Sequence, residues 1–219
     1  MDWINHFQPG QPGTPAPLTL LLLHSTGGHE RQLLQLGQAV APGANLLGVR
    51  GRSLEEGFPR YFRRFSATDY DQPHLISETD ALADFLAQAA AHHAFDPARV
   101  VALGYSNGAN IGLTLALRHP GLLAGAALIR PVMPLDEPPQ AGGPDAPDLR
   151  GLQTLLLHGS HDPYAPHGQS VGPLLRELGA ATTERRINAG HELTDQDVQV
   201  LQGWFAEHFA APAPQGVTP

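Results

Sequence analysis

The hydrophobic positions of this chain follow two alternating patterns. Short runs of consecutive apolar residues, such as LTLLLLH at 18–24, are typical of strands buried on both faces. Longer segments with apolar residues at helical spacing follow most of these runs. The patterns predict strands at 18–24, 45–50, 99–105, 123–129, 153–159 and 182–188, and helices at 30–40, 75–93, 107–118, 167–178 and 195–209. The last strand alternates more clearly, which predicts a less buried place near an edge.

Strands that alternate with helices in this way form a mostly parallel sheet with helices on both faces. We therefore predict an α/β fold of about six or seven strands, in a single domain that spans 1–219. Within it, 1–17 is predicted to be an N-terminal edge segment and connector, and 211–219 a flexible tail. Ser77 is a candidate cap for the helix at 75–93. Ligands bind such sheets at the carboxyl ends of the strands, where we expect the functional residues.

The composition excludes several kinds of chemistry. The chain has no cysteine and no lysine, so thiolate catalysis, Cys-ligated metals and Schiff bases are excluded. Its formal net charge of -8 opposes binding to nucleic acid or to an anionic membrane. The N-terminus lacks the pattern of a signal peptide and no apolar run could span a membrane, so we expect a cytoplasmic protein. No metal-binding motif is evident, and we predict neither a metal nor a cofactor.

A serine motif lies where a predicted strand meets a predicted helix. Gly104-Tyr105-Ser106-Asn107-Gly108 matches G-x-S-x-G, and this motif needs a strand before it and a helix after it. The tight turn strains the serine backbone and exposes its hydroxyl, while the two glycines allow close packing. The motif therefore predicts Ser106 as a nucleophile. The alternative is a tight Gly-rich turn with an incidental serine.

A serine nucleophile needs an orienting acid as well as a base, and folds with this motif place the acid before the histidine. Asp162 follows the strand at 153–159 and precedes a proline, so we predict that it is the acid. The alternative for Asp162 is a turn-forming Asp-Pro pair. Asp136 is the competing acid, but its Pro-rich surroundings are a poor rigid support.

Topology selects the base from 12 histidines. His191 lies between the last strand and the last helix, where the base of such a triad is expected. His158 and His161 lie next to Asp162 but precede the last strand, and we interpret them as packing groups. Thr194 is a candidate cap for the last helix.

The developing oxyanion of such a reaction requires two hydrogen-bond donors. The backbone N–H of Asn107 follows the nucleophile at a helix N-terminus and is one candidate. The backbone N–H of Thr26, in the Gly-rich loop after the strand at 18–24, is the other. A phosphate-binding loop is the alternative, but the chain has no G-x-x-x-x-G-K-[ST] motif.

Taken together, these motifs resemble the α/β-hydrolase superfamily. The likeness is to the small phospholipase/carboxylesterase group, related to acyl-protein thioesterases and dienelactone hydrolases, and especially to bacterial carboxylesterases linked to hydroquinone-resistance operons. The segments that carry it are LLLLHSTGGHE, VRGRSLEEGFPRYFRRF, FDPARVVALGYSNGANIG, HGSHDPYAP and AGHELT. The family usually has a glycine where this chain has Ser25. The resemblance implies hydrolysis of carboxylic esters through a serine acyl-enzyme.

Several arginines and aromatic residues follow the second predicted strand, again at the catalytic end of the sheet. Arg60 and Arg63, with Phe62 and Tyr105, are candidate substrate-binding residues, because arginine binds carboxylate or phosphate in a bidentate manner. We favour the alternative that the arginines of this loop form ion pairs within the chain or contact a second copy in a homodimer. These arginines are Arg50, Arg52, Arg60, Arg63 and Arg64, and the candidate acids are Glu55, Glu56, Asp69 and Asp71.

We predict a carboxylesterase with an open site for small to medium esters, since the Pro-rich segment at 131–147 leaves no room for a helical lid. An acyl thioesterase or a lysophospholipase is the alternative within enzymes, because the acyl-enzyme chemistry is shared. A non-catalytic module that binds a small ligand is the alternative from another class. Such a module normally lacks a member of the triad, and none is missing here.

Overall fold

The computed structural model describes residues 3–11 and 17–209. Seven strands form one sheet in the order β1-β3-β2-β6-β7-β8-β9, and β4 pairs with β5 in a separate hairpin. The strands are β1 Asn5–Gln8, β2 Thr19–Leu23, β3 Asn45–Val49, β4 Ser53–Glu55, β5 Phe58–Arg60, β6 Val100–Tyr105, β7 Gly125–Ile129, β8 Gln153–Gly159 and β9 Ala181–Ile187. Among the described strands of the large sheet, β1 alone runs antiparallel, which confirms the predicted α/β fold with a mostly parallel sheet.

Helices cover both faces of the sheet. They are α1 Leu34–Val40, α2 Gln72–His93, α3 Asn107–Arg118, α4 Val171–Glu177 and α5 Asp195–Phe209. Alternate residues of one strand face opposite sides, so Leu20 and Leu22 join the core under α1 and α5, whereas Leu21 and Leu23 join the core under α2 and α3. No helix of the described ranges is long and apolar enough to cross a membrane.

The predicted starts of two helices were wrong. The helix predicted at 30–40 begins at Leu34, because the preceding residues form turns whose carbonyls bond three residues ahead. Helix α2 begins at Gln72 rather than at 75: the Asp71 side chain accepts the His74 N–H at 3.1 Å, so Asp71 and not Ser77 is the cap. A proline in the first turn supports this start.

The helix predicted at 167–178 is divided into a short 3-10 helix, Ala165–Gly168, and α4. Pro173 explains the division, because it has no N–H to donate to the carbonyl four residues earlier and its ring collides with that carbonyl. The sequence pattern also missed the β4–β5 hairpin. The predicted tail at 211–219 and part of the predicted connector, 12–16, lie outside the described residues.

The carboxyl ends of the parallel strands bring distant parts of the chain to one edge. His24 follows β2, Ser106 follows β6 and Arg130 follows β7, while the loops after β8 and β9 carry Asp162 and His191. The hairpin β4–β5 and the segment after it lie at the same edge, since Gly27 N–H donates to the Pro59 carbonyl at 2.9 Å. The predicted functional residues therefore converge on one end of the sheet.

Candidate active site

Ser106 adopts a strained conformation between β6 and α3. Its φ of 54° and ψ of -113° lie in a region that non-glycine residues rarely occupy. Its N–H donates to the Ile129 carbonyl at 2.8 Å, which holds the turn against the neighbouring strand. Such strain persists only where the surroundings impose it, and it is characteristic of functional turns.

The glycines on either side of Ser106 permit a very close approach of helix and sheet. A Cβ on Gly104 would lie 2.5 Å from the Gly108 carbonyl oxygen, and a Cβ on Gly108 would lie 2.0 Å from the Leu23 carbonyl oxygen. Both clashes are with backbone, which cannot rotate away as a side chain can. The N-terminus of α3 is consequently pressed against β2 and β6, next to the serine hydroxyl.

Ser106, His191 and Asp162 form a continuous chain of hydrogen bonds. The Ser106 Oγ lies 2.8 Å from His191 Nε2, and His191 Nδ1 lies 2.8 Å from Asp162 Oδ2. The tautomer with a proton on Nδ1 satisfies both contacts, because it donates to the carboxylate and accepts from the hydroxyl. Asp162 is buried, and its second oxygen accepts the Tyr164 N–H at 2.9 Å. Asp136 is elsewhere: its N–H donates to Gln72, and it does not contact His191.

A buried arginine fixes the loop that carries His191. Arg130 donates from Nε to the Gly190 carbonyl and from Nη2 to the Glu192 carbonyl, each at 2.9 Å. These are the residues on either side of His191. Arg130 also forms a bidentate ion pair with Asp197 of α5, at 2.8 and 2.9 Å, and both side chains have 0% exposure. The loop is therefore tied to β7 and α5 at once.

Other contacts restrict the same histidine. The Tyr105 hydroxyl donates to the His191 carbonyl at 2.9 Å, and the Tyr164 ring packs edge-on against the imidazole. Thr194 and Asp197 form a reciprocal cap: the Thr194 N–H donates to the Asp197 carboxylate, and the Asp197 N–H donates to the Thr194 hydroxyl. The predicted capping role of Thr194 is confirmed.

A pocket of about 340 Å³ opens beside Ser106 and His191. Thr26 and Asn107 both line it, and their backbone N–H groups have no hydrogen-bond acceptor among residues 3–11 and 17–209. Tyr105, Arg60 and Arg64 also line the pocket. Its described walls contain no aspartate or glutamate. The arrangement therefore combines a serine hydroxyl bonded to a histidine, free N–H donors and an excess of positive charge.

The loop that carries Thr26 rests on buried polar contacts. His24 Nδ1 donates to the Ser25 carbonyl at 2.6 Å, and His24 Nε2 accepts the Gly51 N–H at 2.9 Å. Burial lowers the pKa of His24 to about 4, so the ring is neutral at pH 7, as these contacts require. The Tyr61 hydroxyl accepts the His24 N–H, and the Tyr61 N–H donates to the Asn107 side chain. The first loop, the arginine segment and the start of α3 thus form one unit.

The structure separates the predicted substrate-binding residues. Tyr105 and Arg60 lie on the pocket wall, but Phe62 and Arg63 do not. Phe62 is fully buried and packs edge-on against Tyr70, because its apolar ring belongs to the core under α2. Arg63 points away to Asp71, at 2.7 Å, and its side chain is 56% exposed. These two predictions are corrected accordingly.

Sequence reasoning missed Arg130 and the residues that complete the pocket. A charged residue directly after the wholly apolar strand β7 was the available signal for Arg130, since such a residue must find a partner when buried. Tyr70, Asn110 and Tyr164 line the pocket from segments distant in sequence, and no motif marks them.

Two known proteins are similar to this chain in sequence. The chain is 40% identical over 190 residues to the Bacillus subtilis (strain 168) protein named "Putative hydrolase MhqD", a match that covers 86% of this chain and 92% of that protein. It is also 31% identical over 173 residues to "Putative esterase NocK" of Nocardia uniformis subsp. tsuyamanensis, covering 77% of this chain and 47% of that protein. No model of a protein family matches the chain.

Solved structures extend this likeness to the whole fold. The Bacillus cereus carboxylesterase superposes with a TM-score of 0.88 at 36% identity, over 95% of each chain. A carboxylesterase from Mesorhizobium loti superposes with a TM-score of 0.81 at 37% identity, over 89% of this chain and 90% of the other. The helix and strand arrangement that supports Ser106 is therefore shared with carboxylesterases.

Proposed function

This chain belongs to the α/β-hydrolase family of carboxylesterases and is a carboxylic ester hydrolase, and from this premise we propose that it cleaves small to medium esters through an acyl-enzyme on Ser106. The observation that carries the proposal is the unbroken hydrogen-bond chain from the Ser106 hydroxyl through His191 to Asp162. Each contact in it is 2.8 Å long, which is the distance expected of a working serine triad.

In the proposed acylation step, Ser106 Oγ attacks the ester carbonyl carbon while His191 Nε2 takes the hydroxyl proton. Asp162 keeps the other ring nitrogen protonated and stabilises the imidazolium that forms. The carbonyl oxygen becomes an oxyanion, for which the free N–H groups of Asn107 and Thr26 are the proposed donors. Collapse of the intermediate breaks the ester C–O bond, and the imidazolium gives its proton to the leaving alkoxide.

In the proposed deacylation step, water takes the place of the alcohol. His191 removes a proton from this water as it attacks the acyl carbon, and the proton then passes to Ser106 when the carboxylic acid leaves. The strained backbone of Ser106 and the hydrogen bonds of Arg130 to the His191 loop hold the serine and the histidine in place in both steps. Such fixed geometry is a large part of catalytic rate enhancement.

The pocket supports a small substrate. Its volume of about 340 Å³ is near the lower end of ligand sites, which typically range from roughly 300 to 1,000 Å³. A short acyl chain and a small alcohol fit such a space, whereas a long lipid chain would extend into solvent. We therefore propose esters of short-chain acids as the substrate class.

Hydrolysis of p-nitrophenyl butyrate by single variants tests this proposal. Ser106→Ala and His191→Ala should each lower kcat by about 10⁴-fold, because the nucleophile or its base is removed. Asp162→Asn should lower kcat by a similar order, since the amide favours the wrong histidine tautomer.

Asp136→Asn is the matched control, because Asp136 also follows a strand of the sheet but does not contact His191. It should retain wild-type kcat. Retention of most activity by Ser106→Ala would contradict the proposal, and a loss in Asp136→Asn equal to that in Asp162→Asn would contradict the choice of acid.

A further inference from the structure

Two arginines on the pocket wall differ from the other arginines at this edge of the sheet. Each of the others has a carboxylate partner at short distance: Arg50 with Glu30 at 2.7 Å, Arg52 with Glu78 at 2.9 Å, Arg63 with Asp71 at 2.7 Å, and Arg130 with Asp197 at 2.8 Å. The Arg64 guanidinium forms no ion pair or hydrogen bond with any described residue. It nevertheless lines the pocket that contains Ser106.

Arg60 is buried at the same wall with its charge only partly compensated. Its side chain is 4% exposed, and the nearest carboxylate, Glu55, lies 3.7 Å away. Arg60 Nη1 donates to the Thr26 hydroxyl, and Nε makes a long contact of 3.4 Å with the Phe62 carbonyl. The Nη2 donors have no acceptor in the described chain. Nη2 is not enclosed by protein, and Arg60 lines the pocket, so these donors are open to a ligand in the pocket.

The two guanidinium groups are close enough to repel each other. The positive charge of Arg64 contributes to a lowered pKa of Arg60, after the larger effect of burial. Tyr70 faces the same pair, and its pKa is raised by burial despite the opposing effect of both arginines. Glu55 is the one carboxylate within ion-pair distance of either group among the described residues, so the cluster keeps a charge of about +1.

We propose that Arg60 and Arg64 bind a carboxylate carried by the ester substrate, so that the enzyme prefers monoanionic esters such as the half-esters of short dicarboxylic acids. The inference rests on the proposed function and names its substrate class. The cluster charge of about +1 matches one carboxylate better than a dianionic phosphate, and the planar guanidinium fork matches carboxylate geometry. The absence of acidic side chains from the described pocket walls removes competition for this anion.

Monoethyl succinate and ethyl levulinate form a matched pair of probes. They have the same ethyl ester and the same two-carbon spacer, but a carboxylate in the first is replaced by a neutral methyl ketone in the second. Release of ethanol measures kcat/KM for each. The wild-type protein should prefer monoethyl succinate by about ten-fold or more, as expected for charge-assisted hydrogen bonds to a carboxylate.

Arg64→Ala should reduce this preference about ten-fold, and Arg64→Lys should restore part of it, because the charge returns without the bidentate fork. Arg63→Ala is the matched control, since Arg63 is the adjacent arginine but points away to Asp71. It should keep both the preference and the wild-type kcat/KM. An equal loss in Arg63→Ala and Arg64→Ala, or no preference in the wild type, would overturn the inference.

Binding to Ser106→Ala separates this inference from the proposed function. Calorimetry should show that monoethyl succinate binds this variant about ten-fold more tightly than ethyl levulinate, and that adding Arg64→Ala removes the difference. Turnover of neither ester by the wild type would contradict the proposed function, whereas equal binding of the two esters would contradict the carboxylate site. Stronger inhibition by inorganic phosphate than by succinate would overturn the choice of carboxylate.

Discussion

The pocket has two sides, which differ in whether their charged side chains have close partners. The histidine side consists of Arg130, the loops at 159–164 and 189–194, and the start of α5. There the charges of Arg130, Asp162 and Asp197 are all met by partners at 2.8 to 2.9 Å. The arginine side consists of residues 51–71, where Arg60 and Arg64 keep unused donors.

This difference indicates what each side does. A saturated network has little freedom to rearrange, which suits the side that must hold His191 within hydrogen-bond distance of Ser106. Donors that remain open to the pocket can bind a further partner, which suits the side that would bind substrate. The buried charges with close partners thus mark the structural part of this site, and the arginines with free donors mark the part available to a ligand.

The largest expected effect is on stability, from removal of the buried Arg130–Asp197 ion pair on the histidine side. Arg130→Met should lower the free energy of unfolding by about 3 to 5 kcal/mol, because it leaves Asp197 buried without its partner. The double variant Arg130→Met/Asp197→Asn should recover much of that stability, since the buried charge is gone. It should not recover esterase activity, because the carbonyls of Gly190 and Glu192 still lack their donors. Urea denaturation and kcat measure the two effects.

Arg150→Met provides the control for this comparison, because the Arg150–Asp148 pair is largely exposed. It should change neither the unfolding transition nor kcat measurably. Full recovery of kcat in the Arg130→Met/Asp197→Asn variant would show that Arg130 serves stability alone.

The next effect is on the pH dependence of stability, through His24, which supports the arginine side by accepting the Gly51 N–H. Burial lowers the pKa of His24 from its usual value to about 4, so between about pH 6.5 and pH 4 the unfolded chain binds a proton that the folded chain excludes. Stability from His24 is therefore full above about pH 6.5 and is lost as the pH falls, by about 3 kcal/mol in total. His24→Gln should unfold with a flatter pH dependence over this range. An unchanged slope in denaturation curves would contradict this role.

The smallest expected effect is on kcat, from the loss of one hydrogen bond on the histidine side. Tyr105→Phe removes the hydroxyl that donates to the His191 carbonyl at 2.9 Å and leaves the ring in place. One hydrogen bond of this kind contributes about 1 kcal/mol, so kcat should fall by about five-fold. A loss as large as that in His191→Ala would mean that this hydroxyl contacts the reacting atoms instead of supporting the loop.

The sequence predicts the parallel strands more closely than the starts of α1, α2 and α4. Strand β8 and helix α3 match their predicted bounds to the residue, because an apolar run ending in glycine and a helix bounded by a Gly turn and His-Pro-Gly leave little ambiguity. The start of α2 was missed because its first turn is polar and carries no apolar periodicity. Capping by Asp71 and the position of Pro73 decide that boundary instead.

The residues of the proposed triad were found from topology, because each lies after a particular strand and before a recognisable turn or helix. The arginine side could not be resolved in this way. Arg63 and Arg64 are adjacent in an irregular segment, where no period of two or 3.6 determines which of them faces the pocket. Arg130 was missed because its role depends on Asp197, a residue 67 positions away that no local motif connects to it.

Covalent labelling tests the central claim of a serine nucleophile most directly. Reaction with a small alkyl fluorophosphonate should attach one phosphonyl group per chain, and peptide mass spectrometry should locate it on Ser106. Esterase activity should fall in proportion to the labelled fraction, and Ser106→Ala should remain unlabelled. Full labelling at another residue, or activity that survives complete modification of Ser106, would contradict the proposed mechanism.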